Sequence, residues 1–139
     1  MSRAFDTISR GKLLKILEVD VGLDKDAIRM VEALLRDTNL RVQIDGIKSD
    51  WFKTTIGTPQ GDCLSPVLFV VYLEAALRSL RSKIGPRSTE DADTLLPREI
   101  VYADDTDLIS FCKEWLESVL TQIPSEFAKY NLIVNDDKT

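Results

Sequence analysis

The sequence predicts a mixed α+β domain in which helices pack on one face of an antiparallel sheet. Three observations predict this class. Apolar residues recur at helical spacing in several separate stretches. An alternating run from Leu40 to Ile44 is followed by the turn pair Asp45-Gly46 and a second β-prone run, and two further short apolar runs flank residues 102–105. The chain has 139 residues, 44% of them hydrophobic, so we expect residues 1–139 to form a single domain.

The first part of the chain is predicted to contain two capped helices. Met1 to Ile8 is interpreted as the end of a strand that leads into them. Ser9 caps a helix from Arg10 to about Glu18, and Asp24 caps a second helix that extends to about Asp37. Both helices carry their apolar residues at i, i+3 and i+4 spacing, which favours burial of one face.

A hairpin and a central helix follow. The Asp45-Gly46 pair predicts the hairpin turn, and a loop of turn-forming residues then runs from Gly57 to Asp62. Ser65 as cap and Pro66 at the first helical position open a third helix, which runs to about Ser82. Its first half is apolar on every side, so we expect it to be the central helix of the domain.

The last part of the chain is predicted to contain a loop, a hairpin, a helix and a strand. Lys83 to Pro97 is polar and indicates an exposed, mobile loop without a chemical role, and Arg98 to Phe111 forms the hairpin. Lys113 to about Tyr130 has a helical pattern but contains Pro124, so it should kink or split just before that proline. Leu132 to Val134 is interpreted as a last short strand.

Composition excludes several classes of function. The chain has no histidine, which rules out a histidine-based triad, a histidine-ligated zinc site and a histidine general base. A net charge of −5 argues against a surface that follows a nucleic-acid backbone throughout. Cys63 and Cys112 without a signal peptide favour a reduced intracellular protein, in the nucleus or the cytoplasm. The longest apolar run, Pro66 to Leu73, is too short to span a bilayer, so no membrane partner is expected.

Two adjacent carboxylates, Asp104 and Asp105, lie at the centre of the tetrapeptide Tyr102-Ala103-Asp104-Asp105. A tight turn can bring both to one edge, where they repel each other unless a cation is bound. Mg²⁺ prefers such hard oxygen ligands, and two carboxylates with Mg²⁺ make a site suited to phosphoryl transfer. The alternative is an Asp-Asp pair in a solvated turn that binds no metal.

Three blocks in order carry a resemblance to a known family. Tyr102-Ala103-Asp104-Asp105 is preceded by Gly57-Thr58-Pro59-Gln60-Gly61-Asp62-Cys63-Leu64-Ser65-Pro66 and followed by Asn135-Asp136-Asp137-Lys138-Thr139. The chain resembles, over nearly its whole length, the palm of reverse transcriptases, most closely the non-LTR retrotransposon type. The resemblance implies a palm-like sheet and RNA-directed DNA synthesis in the intact enzyme. It also implies an RNA template, a DNA primer, deoxynucleoside triphosphates, and Mg²⁺ with Mn²⁺ as substitute.

The resemblance also implies roles for particular residues. The resemblance makes Asp104 a ligand of the catalytic metal pair and Asp105 its neighbour in the same metal site. Lys138 would lie near the triphosphate and donate a proton to the departing pyrophosphate. The alternative for Lys138 is a solvated lysine near the terminus.

A second group of residues would bind the nucleotide and the template. Gln60 and Gly61 would lie along the incoming nucleotide and the template, and Tyr102 belongs to the same binding set. Phe5 would be the aromatic gate under the sugar that excludes a 2′-hydroxyl. The alternatives are an ordinary loop glutamine for Gln60 and a core aromatic for Phe5.

The chain departs from the family pattern near its start. The family places a metal-binding aspartate five residues before the gate aromatic, and counting back from Phe5 falls one position before Met1. We therefore expect a palm without most of the fingers and all of the thumb, which binds metal weakly if at all and is nearly inactive alone. Such a palm exposes apolar surface, so we also expect self-association.

Two other hypotheses remain open from the sequence. The chain is alternatively a truncated or repurposed palm that acts as a structural or protein-binding module without catalysis, for which the acidic net charge is one motive. It is alternatively the palm of a related template-directed polymerase that makes RNA. Phe5 argues weakly against this last hypothesis if it is the gate.

Overall fold

The structure, a computed structural model, describes residues 4–36, 38–59, 61–84, 99–103 and 105–135. These ranges contain helices and short antiparallel strands, which confirms the predicted mixed α+β class. The elements in chain order are α1 Ala4–Thr7, α2 Arg10–Val19, α3 Lys25–Leu35, β1 Asn39–Leu40, β2 Gln43–Ile44, β3 Ile47–Lys48, β4 Phe52–Lys53, α4 Ser65–Ile84, β5 Glu99–Tyr102, β6 Asp105–Leu108 and α5 Lys113–Ala128.

The caps of α2 and α3 are those that the sequence predicts. The Ser9 hydroxyl accepts a hydrogen bond from the Lys12 amide at 3.4 Å. The Asp24 carboxylate accepts from the amides of Asp26 and Ala27 at 2.9 and 2.8 Å. These bonds satisfy amides that have no partner within the first helical turn. The short segment before Ile8, however, is the helix α1 and not the predicted end of a strand.

Helix α4 is the central helix, as predicted. It packs against both α2 and α5, and Phe69, Tyr72 and Ala76 on it have no exposed surface. Val67 and Val70 remain more than half exposed, so the apolar first half of α4 is buried on one side and open on the other. The helix includes Ser65 as its first residue and continues through Ile84. The predicted loop from Lys83 to Pro97 therefore begins later, and beyond Ile84 it lies outside the described residues.

Helix α5 continues through Pro124 without interruption, so the predicted split is wrong. Val119 and Phe127 lie on either side of the proline and are both buried in the core. Because packing holds both halves of the helix, it offsets the one backbone hydrogen bond that a proline removes. Pro124 itself is exposed, which leaves room for its ring.

The predicted last strand is a helix terminus instead. Asn131 adopts the left-handed conformation with φ of 55°, and the Leu132 amide donates to the Phe127 carbonyl at 3.0 Å. This geometry closes the last turn after α5. Leu132 is buried, and its apolar character therefore serves the helix end and not a sheet.

The strands form three separate two-stranded antiparallel pairs among the described residues: β1 with β4, β2 with β3, and β5 with β6. Asp45 and Gly46 both have positive φ, 49° and 81°, which is the turn type that joins β2 to β3. The predicted hairpin is therefore confirmed. We call residues 39–53 the ribbon; every side chain in it is exposed.

Candidate functional site

A loop of residues 57–61, here called the glycine loop, is attached to the segment around α1. The Gly57 amide donates to the Ile8 carbonyl at 2.8 Å, and the Thr58 amide donates to the Phe5 carbonyl at 3.0 Å. Gly57 has φ of +74°, and a Cβ added to it would lie 2.9 Å from both Cα and O of Asp6. Glycine is therefore required at this position for both conformation and space.

The other end of the glycine loop is fixed to α4. The Ser65 hydroxyl donates to the Pro59 carbonyl at 2.7 Å, and the Leu64 amide donates to the Asp62 carboxylate at 3.2 Å. The sequence predicted Ser65 as the cap just before the helix, but Ser65 is the first helical residue and its hydroxyl binds the loop. Between these attachments Gly61 is exposed, with φ of +87°, and Gln60 lies outside the described residues.

Phe5 is half-buried between the glycine loop and the central helix. Its ring stacks on Phe69 with centroids 4.5 Å apart and an interplanar angle of 30°. Its carbonyl accepts the Thr58 amide, so Phe5 and the glycine loop are neighbours despite their separation in sequence. One face of the ring therefore packs against the core. The side chain is only partly buried, so another part of it remains accessible to solvent.

Strands β5 and β6 form the second part of the candidate site, here called the acidic hairpin. Tyr102 pairs directly with Asp105, which leaves a two-residue connection in which Ala103 has φ of 52°. The predicted hairpin is therefore confirmed, and Tyr102 and Asp105 are both exposed. Asp104 lies outside the described residues, as does Lys138.

The acidic hairpin is joined to the core near its base. Arg81 of α4 binds Glu99 of β5, with Nε 2.6 Å from Oε1, and also binds Glu74 one to two turns earlier on α4. The hydrogen bond from Arg81 is the main reason that the pKa of Glu74 is lowered, and the same contact raises the pKa of Arg81. Within the described ranges, no hydrogen bond or ion pair links Tyr102 or Asp105 to Phe5 or Gly61.

The chemistry of the acidic hairpin suits a divalent cation in part. Asp105 offers an exposed carboxylate at a tight turn, which is a hard oxygen ligand of the kind that Mg²⁺ binds. Among the described residues, no three cysteine, aspartate or glutamate side chains lie close enough together to hold a metal ion. The chemistry of Asp105 is therefore compatible with a metal ligand, but the described residues do not form a metal site by themselves.

A match to a protein-family model over all 139 residues of the chain shows its family. Residues 1–139 match the family model described as reverse transcriptase (RNA-dependent DNA polymerase). The chain belongs to the reverse transcriptase family. This family uses divalent metal ions, and its enzymes act on a nucleic-acid template and primer.

Proteins of retrotransposable elements are similar to this reverse transcriptase chain. The Pol polyprotein of the type-2 element R2DM from Drosophila melanogaster is 28% identical over 138 residues, which cover 99% of the chain and 13% of the relative. The type-1 R2 Pol polyprotein of Nasonia vitripennis is 26% identical over 132 residues, or 95% of the chain and 12% of the relative. That of Popillia japonica is 28% identical over 139 residues, or 99% and 19%. The chain thus spans less than a fifth of each relative, and the predicted resemblance to retrotransposon reverse transcriptases is confirmed.

One described residue near the reverse transcriptase motifs was missed from the sequence. Arg10 was interpreted only as the start of α2, but its guanidinium donates to the carbonyls of Leu35, Thr54, Ile56 and Gly57. A positive charge in the first turn of a helix is unfavourable with respect to the helix dipole. That unfavourable position was the available signal that Arg10 has a specific partner elsewhere.

None of the helices in the described ranges combines the length and apolar character needed to cross a membrane.

Proposed function

We propose that this chain is the palm of an RNA-directed DNA polymerase of a retrotransposon. The observation that carries the proposal is the hydrogen bond from the Thr58 amide to the Phe5 carbonyl at 3.0 Å. This bond supports the proposal because it joins the segment of Phe5, the candidate gate aromatic, to the start of the glycine loop. Because Phe69 supports the Phe5 ring from the core, the gate is held in place before substrate arrives.

The acidic hairpin supplies the metal ligands in this proposal. Asp104 and Asp105 hold Mg²⁺, or Mn²⁺ as substitute, through their carboxylate oxygens. Cations held there would supply the chemistry of nucleotidyl transfer: activation of the primer 3′-hydroxyl and neutralisation of charge on the transferring phosphate. Tyr102, which is more than four-fifths exposed and pairs with Asp105, belongs to the residues that bind the nucleotide and the template.

The remaining residues of the proposed site position the substrate and move a proton. Phe5 lies under the sugar and excludes a 2′-hydroxyl, while Gln60 and Gly61 lie along the incoming nucleotide and the template. Lys138 donates a proton to the departing pyrophosphate. The chain alone is proposed to bind metal weakly and to be nearly inactive, because two ions need more carboxylates than the acidic hairpin supplies.

A calorimetric titration of Mn²⁺ tests the proposed metal site. We expect saturable binding that is lost in Asp104→Asn and weakened in Asp105→Asn. Asp107→Asn is the matched control, because Asp107 is an exposed aspartate of the same hairpin, opposite Ile100 and away from the turn. Equal binding by the wild type, Asp104→Asn and Asp107→Asn would contradict the proposed site.

Primer extension on an RNA template tests the statement about activity. With Mg²⁺ or Mn²⁺ and deoxynucleoside triphosphates, the chain alone should add few or no nucleotides. Processive synthesis by the 139-residue chain would show that the metal site is more complete than proposed.

A repurposed palm that binds protein is the second candidate, and the exposed apolar side chains of the ribbon favour it. These are Leu40, Val42, Ile44, Ile47, Trp51 and Phe52, each between 43% and 77% exposed. In this case the acid pair has no metal to hold, and Asp104→Asn with Asp105→Asn should leave the melting temperature unchanged or raise it. A lower melting temperature of this variant in Mg²⁺ would favour the polymerase instead.

Self-association through the same apolar surface is also proposed. Light scattering at high concentration should show species larger than a monomer, and Ile47→Lys should reduce them. A clean monomer for the wild type would contradict this proposal.

A further inference from the structure

The guanidinium of Arg10 connects three separate parts of the chain. It lies at the first position of α2 and is half-buried. All of its acceptors in the described ranges are neutral oxygens. They are the carbonyls of Gly57 (2.8 Å), Leu35 (2.7 Å), Thr54 (2.8 Å) and Ile56 (3.2 Å), together with the Thr54 hydroxyl (3.1 Å).

One of these contacts compensates the charge of Arg10. Leu35 is the last residue of α3, so its carbonyl belongs to the negative end of that helix dipole. The guanidinium therefore caps the end of α3 while it opens α2. Burial lowers the pKa of Arg10, but a guanidinium remains charged at neutral pH.

The remaining contacts hold the segment that enters the glycine loop. Gly57 is held on both sides of its main chain: its amide donates to the Ile8 carbonyl, and its carbonyl accepts from Nε of Arg10. Ile8 and Arg10 belong to the short stretch that follows Phe5. The segment that carries Phe5 thus holds the start of the glycine loop at two points.

A lysine could not make the same set of contacts. Arginine presents its donors in a rigid planar fork, whereas lysine has a single nitrogen on a flexible stem. The five acceptor oxygens around Arg10 receive hydrogen bonds from three different nitrogens of its guanidinium. The single amine nitrogen of a lysine would satisfy only some of these oxygens.

We propose that Arg10 is a positioning residue of the nucleotide site: it fixes the Gly57 carbonyl so that the loop carrying Gln60 and Gly61 keeps its place beside Phe5, and it thereby maintains discrimination between deoxyribo- and ribonucleotides. The second half of this statement rests on the proposed function of Phe5 and the glycine loop. The first half concerns only the arrangement of the main chain, and the two halves are tested separately.

Amide hydrogen exchange in the 139-residue chain tests the arrangement. In Arg10→Lys we expect the Gly57 and Thr58 amides to exchange about tenfold faster or more, since hydrogen bonds from a charged donor are lost. The Leu68 amide of α4, which donates to the carbonyl of Leu64 just before the helix, should keep its rate. Arg29→Lys is the matched control, because Arg29 is an exposed helical arginine whose ion pair with Asp26 lies at the surface.

A milder variant keeps the test decisive if Arg10→Lys unfolds. Thr54→Val removes one acceptor hydroxyl from the guanidinium and leaves the four carbonyls in place. We expect a smaller acceleration at Gly57 in the same direction. Unchanged exchange at Gly57 and Thr58 in the folded variants would overturn the proposal.

Nucleotide titrations test the role in discrimination. With Mg²⁺ present, dATP should shift the Gly61 amide signal of the wild type at lower concentration than ATP does. In Arg10→Lys the ratio of the two apparent dissociation constants should fall towards one, whereas Arg29→Lys should keep the wild-type ratio. A purely structural role of Arg10 would lower stability but leave this ratio unchanged, and that result would overturn the nucleotide half of the proposal.

The titration also separates failure of this inference from failure of the proposed function. A wild-type chain that shows no shift at Gly61 with either nucleotide would refute the nucleotide role of the glycine loop, and with it the role of Arg10 in discrimination. The exchange rates of Gly57 and Thr58 would still decide whether Arg10 fixes the loop.

Discussion

Replacement of Gly57 by alanine should release the glycine loop from the α1 segment. Two penalties act at this position. An alanine at φ of +74° adopts the left-handed conformation, which disfavours it by about 1–2 kcal/mol. Its Cβ would also lie 2.9 Å from Cα and O of Asp6, both backbone atoms that cannot rotate away, and such overpacking destabilises by about 1–3 kcal/mol. The sum is roughly 2–5 kcal/mol, a large part of the stability of a small domain.

Urea denaturation of Gly57→Ala beside Gly22→Ala measures the two penalties apart. Gly22 has φ of +78°, close to that of Gly57, but a Cβ there would meet nothing within 4 Å. Gly22→Ala should therefore show only the conformational penalty, and the difference between the variants reports the clash with Asp6. Equal unfolding free energies for the two variants would refute the close approach of Gly57 to α1.

Two further predictions concern Thr58 and Glu126. The Thr58 hydroxyl is buried without a hydrogen-bond partner among the described residues, so Thr58→Val should raise the unfolding free energy by about 1 kcal/mol; a loss of stability in urea denaturation would show that the hydroxyl has a partner. Hydrogen bonds from Lys129 and then Lys83 lower the pKa of buried Glu126 from 4.5 to about 2. Because the folded-state pKa is the lower one, the stability from this carboxylate is present above pH 4.5 and is lost as the pH falls towards 2. The difference in denaturation midpoint between the wild type and Glu126→Gln should therefore shrink over that range, and a constant difference would contradict the assignment.

Features that depend on neighbouring residues were predictable from the sequence. Ser9 and Asp24 cap their helices because each side chain needs only amides two or three residues further on. The Asp45-Gly46 turn formed as predicted because positive φ at both positions is a local property. The same holds for the short connection between β5 and β6.

Features that depend on distant contacts were not predictable in this way. Met1 to Ile8 was interpreted as the end of a strand, yet residues 4–7 form the single helical turn α1, and its Phe5 carbonyl accepts the Thr58 amide some fifty residues later. Leu132 to Val134 has strand-like composition, but the sequence does not show whether a partner strand is available. Pro124 is accommodated because Val119 and Phe127 anchor α5 on both sides of it, which is a tertiary effect.

The residues of the candidate site also differ in whether a local sequence pattern could predict them. Phe5, Gly61, Tyr102 and Asp105 were named from a resemblance in short motifs, and the structure places Phe5 beside the glycine loop. Arg10 carries no motif of its own. Its importance depends on carbonyls that converge from α3 and from the chain after β4, and no local pattern reports such convergence.

Helix α4 sets the distance and relative orientation of the two parts of the site. The glycine loop is attached at its first residue, Ser65, and the acidic hairpin is attached near its other end, at Arg81. At 1.5 Å per residue these anchors lie about 24 Å apart along the axis, and one inserted residue would turn one anchor by about 100° relative to the other. Substitutions on the open side of α4 should therefore be tolerated far better than any change in its length. Selection on this helix is expected to act on its register more strongly than on its exposed side chains.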